Sequence, residues 1–233
     1  MNIAIVLSGG KGERMAADVP KQYMELCGRP VIMHALAAFD AHPDIDGICV
    51  VLRDDWADSV LDWAKRFNIN KIRWIAKAGQ SRTASSLSGI NAIKADCSDN
   101  DIVIIHDAAR PLVSERIISD GINAAMLHGA ANTVIPCVDT VVLSKGGEFI
   151  TGLPSREGLY MVQTPQCFKY SIISDAYSQH EKSGGGEVSD DCTLVVRAGY
   201  GVALSPGERS NIKITSKGDI ELAAALMAIR NLV

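Results

Sequence analysis

Apolar and polar positions alternate in blocks along the first hundred residues, and each block has a recognisable period. Ile3–Leu7 is a short, β-branched apolar run that reads as a buried strand, and it ends in the loop Ser8-Gly9-Gly10-Lys11-Gly12. Pro30–Phe39 has helical spacing, with Val31, Ala35, Leu36 and Phe39 on one stripe. Ile48–Leu52 reads as a second buried strand. Ala57–Phe67 reads as a helix whose inner side carries Val60, Leu61, Ala64 and Phe67. Lys71–Ala76 alternates like a strand, Ser81–Lys94 reads as a helix, and Asp101–Ile105 is a further strand of β-branched character. Strands that alternate with helices predict right-handed βαβ units, and hence an α/β fold built on a mostly parallel sheet with helices on both faces. Ligands of such sheets gather at the carboxyl ends of the strands.

The pattern changes between Asn132 and Phe168. Thr133–Val138 and Thr140–Leu143 are rich in strand formers, Lys145-Gly146-Gly147 signals a turn, and Phe149–Thr151 resumes a strand. This predicts a protruding antiparallel β-arm at about 137–160. Ser183–Gly186 reads as a flexible loop, and Gly218–Leu232 as a closing helix rich in Ala and Leu. There are no internal repeats.

Composition narrows the classes. With 233 residues, 47% apolar and 21% charged, the chain is expected to form a single globular unit. A net charge of −4 argues against a nucleic-acid binder. No apolar run approaches the ~20 residues of a spanning helix, and Met1–Leu7 lacks the basic flank of a secretory signal. No membrane partner and a cytoplasmic location are therefore expected. Six cysteines lie far apart with no Cys-x-x-Cys pair, which disfavours zinc or a disulfide framework and leaves all six as structural.

Candidate chemistry begins in the first loop. Its glycines let backbone N–H groups approach an anion, and Lys11, Arg14 and Lys21 bring positive charge. The glycine spacing matches neither the dinucleotide fingerprint nor a Walker loop. Ala78–Ser86 places a Gly turn before a helix, and Ser81 is a natural N-cap. His106-Asp107-Ala108-Ala109-Arg110-Pro111 directly follows a predicted strand, where an acid can hold Mg²⁺ among phosphates. His106 is assigned to shaping that loop and not to catalysis. Lys213, inside the apolar stretch Ser210–Thr215, requires a partner, for which nucleotide phosphates would serve. Trp56, Trp63 and Trp74 read as packing residues, and Asp54-Asp55 as a solvated loop or helix cap.

Gly9-Gly10-Lys11-Gly12-x-Arg14-Met15 followed by Pro20-Lys21-Gln22 resembles the signature of nucleotidyltransferases that activate sugar phosphates, in its cytidylyltransferase form. The likeness continues through Ala78–Ser86, His106–Pro111, Asp139-Thr140 with Arg156, Gln163–Gln166, and Ser189-Asp190-Asp191 with Lys213. Over nearly the whole chain it is similar to the 2-C-methyl-D-erythritol 4-phosphate cytidylyltransferase family and to the related ribitol 5-phosphate enzymes.

The resemblance implies a Rossmann-like fold and one nucleotidyltransferase domain over residues 1–233. It also implies CTP and a small polyol phosphate as substrates, Mg²⁺ as cofactor, and a homodimer formed through the β-arm. Arg14, Lys21 and Lys213 would be catalytic. Ser8, Gly9, Gly10, Lys11, Gly12, Gly79, Gln80, Arg82, Ser85 and Ala108 would hold the nucleotide. Asp107, Arg110, Thr140, Arg156 and Ser189 would hold the acceptor, with Arg156 reaching the partner subunit's site and Asp107 also holding the metal. Gln80 stands where the family often carries an acid, and Ser189 stands in place of a Thr. Gln163–Gln166 is assigned a structural turn. His-Asp-Ala-Ala-Arg-Pro favours the methylerythritol acceptor, whereas Leu153–Arg156 and Tyr160 lean towards ribitol phosphate. A nucleotide-binding module that has lost turnover is the competing reading from another class, and the retained charges Arg14, Lys21, Asp107, Arg156 and Lys213 speak against it. An NAD-binding protein is disfavoured because the G-x-G-x-x-G fingerprint is absent.

Overall fold

The computed structural model describes residues 1–10 and 19–230. Its centre is a seven-stranded sheet of β1 (Asn2–Leu7), β4 (Gly47–Leu52), β5 (Ile72–Lys77), β6 (Ile102–Asp107), β7 (Ala130–Pro136), β8 (Tyr160–Lys169) and β9 (Ala203–Pro206). The spatial order is β5-β4-β1-β6-β8-β7-β9. Only β8 runs antiparallel to its neighbours among these strands. A two-stranded hairpin, β2 (Glu25–Leu26) and β3 (Arg29–Pro30), stands apart.

The sheet's pleat sorts its side chains onto two apolar faces. Ala4, Val6, Ile48, Val50, Ile102 and Ile104 face α1 (Val31–Ala41), α2 (Ala57–Arg66) and α4 (Glu115–His128). Ile3, Ile5, Cys49, Val51, Val103 and Ile105 face α3 (Arg82–Ile93), α5 (Tyr170–Lys182) and α6 (Asp191–Arg197). Both faces of the central strands are covered, so β1, β4 and β6 read as unbroken apolar runs in the sequence. The last helix, α7 (Lys217–Arg230), closes a smaller cluster of Leu26, Val31, Leu112, Ile214 and Ala223. None of the described helices is long and apolar enough to cross a membrane. All six cysteines are free, but Cys27 is an exposed residue at the β2–β3 turn, with φ of 48°, and takes no part in the core.

Several expected elements take a different form. Helices α4, α5 and α6 were not expected from the sequence, although Ser114 and Asp190 cap the starts of α4 and α6 and Gly129, at φ 89°, ends α4. Strand β6 runs on to Asp107, so His106 and Asp107 belong to the strand and do not follow it. Gln163–Gln166 lies inside β8 and is not a turn; the Thr164–Pro165 bond within it is cis.

The arm also differs. Val134–Pro136 pairs with Tyr160–Val162, but Thr140–Leu143 and Phe149–Thr151 form no strands. A lone bridge joins Leu143 to Gly152, whose carbonyl accepts from the Leu143 N–H at 2.8 Å. The physical reason is that a two-stranded ribbon with no packed face is marginal in water. Val142, Leu143, Phe149, Ile150 and Leu153 are all exposed.

Candidate active site

A cleft of about 880 Å³ opens at the carboxyl ends of β1, β4, β5 and β6. The loop after β1 forms one wall. Its carbonyl groups are tied down from behind: the Gln22 side-chain amide donates to Ser8 O at 2.9 Å and to Gly10 O at 2.8 Å. The Tyr23 hydroxyl donates to Ser8 O at 3.1 Å and accepts from Ser8 Oγ at 2.9 Å. Tyr23 in turn stacks on Trp56 with ring centroids 4.3 Å apart. Gln22 was named only as part of the Pro20-Lys21-Gln22 signature and given no role, because nothing local shows that its amide reaches back to the glycine loop.

The facing wall is the start of α3. Ser81 caps it, accepting from Ala84 N–H at 3.1 Å, and Ser85 Oγ donates to Ser81 O at 2.8 Å while accepting from Gly79 N–H at 3.1 Å. The two walls touch: a Cβ on Gly9 would lie 2.6 Å from Ala78 Cβ. A Cβ on Gly79 would lie 2.8 Å from the backbone carbon of Ala84, so neither position accommodates a side chain without a shift of the loop.

The floor is a chain of charges. Asp107, at the end of β6, accepts from Lys213 Nζ on Oδ2 at 2.6 Å and faces Arg82 Nε through Oδ1 at 3.3 Å. Burial alone would raise its pKa, but Arg82 and Lys213 outweigh that and hold the carboxyl well below the usual range. Arg82 continues away from the cleft to Asp191 Oδ2 at 2.7 Å, and Asp191 is fully buried. The Tyr177 hydroxyl donates to Asp191 Oδ1 at 2.6 Å, and the Asp191 N–H donates to Gln166 Oε1 at 3.1 Å. Burial would lower the Arg82 pKa, yet the two carboxylates raise it, so the guanidinium stays charged. The expected partner of Lys213 was a phosphate; in the protein alone it is Asp107.

The structure brings together most of the residues singled out from sequence. Ser8, Gly9, Gly10, Lys21, Gly79, Gln80, Arg82, Ser85, Asp107 and Lys213 line the cleft. Lys11, Gly12 and Arg14 lie outside the described residues. Ala108 packs into the core, and its neighbour Ala109 faces the cleft instead. Arg110 lies behind Asp107, donating to Asn211 O at 2.8 Å. Thr140 and Arg156 are exposed on the arm and Ser189 beside α6, away from the cleft's lining; Arg156 donates to Val138 O at 2.7 Å. Asp54 and Asp55 cap no helix with their side chains; they pair with Lys77 and Arg53 at the cleft rim. Glu187 and Thr215 also line the cleft and carried no signal in the sequence.

His106 is fully buried, and burial pushes its pKa down to about 4. The ring is neutral near pH 7 and has no route to the cleft as a base. Among the described residues no three His, Cys, Asp or Glu side chains cluster to hold a metal. Mg²⁺, however, takes one or two carboxylates and fills its octahedron with phosphate oxygens and water. The ionised Asp107 fits the role of that single carboxylate.

A family profile described as 2-C-methyl-D-erythritol 4-phosphate cytidylyltransferase matches residues 2–229. An enzyme of that name from Clostridium novyi is 38% identical over 227 residues, which cover 97% of this chain and 96% of the relative. A ribitol-5-phosphate cytidylyltransferase from Lactiplantibacillus plantarum is 35% identical, covering 99% of this chain and all of the relative. Among solved structures, a 4-diphosphocytidyl-2C-methyl-D-erythritol synthase from Anaerococcus prevotii superposes with a TM-score of 0.83 at 30% identity, covering 97% of this chain and 96% of that one. The chain is thus a CTP-dependent nucleotidyltransferase and belongs to the 2-C-methyl-D-erythritol 4-phosphate cytidylyltransferase family.

Proposed function

We propose that the enzyme transfers the cytidylyl group of CTP to 2-C-methyl-D-erythritol 4-phosphate. A phosphate oxygen of the acceptor attacks the α-phosphorus in line, the bond to the bridging oxygen breaks, and pyrophosphate leaves. The observation that carries this reading is the Lys213–Asp107–Arg82 chain set opposite the glycine loop in one cleft. Phosphoryl transfers of this type depend on positioning and charge neutralisation. Lys213 neutralises the α-phosphate and the incoming acceptor, while Arg14 and Lys21 stabilise the charge that grows on the leaving pyrophosphate. Asp107 orients the acceptor, and Arg110 behind it and Ser189 before α6 would complete the polyol-phosphate side. Bound Mg²⁺, held by Asp107 and the nucleotide's phosphates, would supply further charge neutralisation. Six free thiols suit a reducing compartment, as expected for a cytoplasmic enzyme.

The acceptor assignment draws on the relatives named for the methylerythritol substrate, which reach 38% identity, against 35% for the ribitol-phosphate relative. Ribitol 5-phosphate is the second reading, favoured by that relative's full-length match and by Leu153–Arg156. Pyrophosphate release from CTP should be measured with each acceptor, with UTP as a control nucleotide and with a chelator. Release with the methylerythritol phosphate alone is the expected result. Preference for ribitol phosphate would reverse the assignment, and CTP binding without release from either would revive the inactive-module reading.

A second copy of the chain is the proposed occupant of the exposed arm, where it would bury Phe149, Ile150 and Leu153 and carry Thr140 and Arg156 to the partner subunit's cleft. Light scattering should therefore give a dimer, and Arg156→Ala should weaken acceptor binding while leaving CTP binding intact. A monomer at every concentration would remove this role.

A further inference from the structure

We propose that His106 is a positioning residue for the reaction, a buried clamp that sets the relative placement of Asp107 and Lys213. The proposal deepens the cytidylyltransferase reading and rests on it for its kinetic test. Its geometric basis is independent of any substrate.

The imidazole Nε2 lies 3.0 Å from the backbone carbonyl of Arg110. A carbonyl only accepts, so Nε2 carries the proton and Nδ1 of the neutral ring is a bare acceptor. Nδ1 lies 3.1 Å from Thr164 Oγ1, which therefore donates to it. The same Thr164 oxygen accepts the Asp107 backbone N–H at 3.1 Å. One directed chain of hydrogen bonds thus runs from the Asp107 amide through Thr164 and the ring to the Arg110 carbonyl. Its two ends are the two ends of the turn that carries Asp107.

That turn also holds the other half of the pair. The Ala109 carbonyl accepts from Ile214 N–H at 2.8 Å, which places the backbone next to Lys213. The Arg110 guanidinium donates to Asn211 O at 2.8 Å on the same segment. Anchoring the turn therefore anchors the segment 211–214 as well, and the 2.6 Å contact between Lys213 Nζ and Asp107 Oδ2 depends on both. His106 itself packs edge-on against Phe39, 5.2 Å between ring centroids, in the apolar layer beneath the sheet. It does not line the cleft, and its influence passes through the turn and through Thr164, whose carbonyl accepts from Asn211 Nδ2 at 2.9 Å.

Three variants separate the ring's two hydrogen bonds from its volume. His106→Asn offers an acceptor near Nδ1, His106→Gln offers a donor near Nε2, and His106→Phe keeps the ring volume with neither. Because a displacement of about 1 Å at reacting groups can slow a reaction ~100-fold, His106→Phe is expected to lower kcat about 10- to 100-fold. The Asn and Gln variants should fall between it and the wild type. The KM for the acceptor should rise with the loss, and the KM for CTP should stay within about threefold, since the glycine loop and the start of α3 are held by other bonds. Equal kcat in the wild type and in the folded variants would overturn the proposal. So would a loss that is the same in all three and tracks only a lowered melting temperature. If His106→Phe fails to fold, the Asn and Gln variants still decide the matter.

Nitrogen-15 NMR of the histidine rings at neutral pH gives a readout independent of turnover. The wild type is expected to show the Nε2–H tautomer for His106, and the Nδ1–H tautomer would overturn the proposal. Absence of wild-type turnover with either acceptor would sink the proposed reaction while leaving the tautomer result to judge the clamp.

Discussion

Replacing Lys213 with alanine is expected to slow CTP turnover about 100- to 1,000-fold, the usual loss when one preorganised charged donor is removed from a transition state. The contact with Asp107 accounts for the size of the effect. The Lys213 ammonium lies 2.6 Å from that carboxylate, and its side chain is about one-third exposed. Asp107 therefore holds it in place, and its exposed part is open to a phosphate. Removing it leaves Asp107 and Asp191 sharing the one Arg82 guanidinium, so surplus negative charge faces the two anionic substrates. Lys213→Arg should recover only part of the activity, because a planar guanidinium does not reproduce a compact ammonium at the same point. Steady-state kinetics at saturating CTP, together with a CTP dissociation constant, would check this. A fall in kcat smaller than about tenfold would mean that Lys213 is not positioned on the reacting phosphate.

Asp191→Ala is expected to have the largest effect on stability, about 3–5 kcal/mol, although Asp191 does not line the cleft. Asp191 is fully buried and holds both Arg82 and the Tyr177 hydroxyl. Without it, Arg82 keeps only the longer contact to Asp107, and Tyr177 is left with a 3.4 Å approach to the Thr83 carbonyl. The penalty is that of a buried cation deprived of its nearer counter-charge. In a chain of this size it corresponds to a fall in melting temperature of roughly 6–20 °C. Asp191→Asn, which keeps the shape and an acceptor for Tyr177, should be milder. Activity should fall in both variants, because Arg82 reaches Asp107 from the Asp191 side. A melting temperature equal to that of the wild type for Asp191→Ala would show that the ion pair contributes nothing to stability.

The parts that were legible in the sequence share a physical cause. Strands β1, β4 and β6 are covered on both faces, so each appears as an unbroken β-branched run, and the loops that follow them are marked by Gly or by a charged residue. Lys213 was noticed because an ammonium in an apolar stretch needs a partner, and it has one. Its partner within the protein, Asp107, lies 106 residues earlier in the chain, so no local pattern could name it. The Arg82–Asp191 contact spans 109 residues, and no local pattern announces it. The arm misled in the opposite direction: Thr140–Leu143 has the composition of a strand, but a single chain provides no face against which it could pack.

Read alone, the sequence determined the parallel α/β core, because burial on two faces imposes a composition that survives in one dimension. It also placed the glycine loop, the capped start of α3 and Asp107 at strand ends, because turns and caps demand particular residue types. Tertiary structure decided which charges meet. Gln22 beneath the glycine loop, Asp191 behind Arg82, and the His106 ring under the Asp107 turn all act through contacts between residues distant in the chain. Such contacts are chosen by packing, which brings together surfaces that no local periodicity encodes.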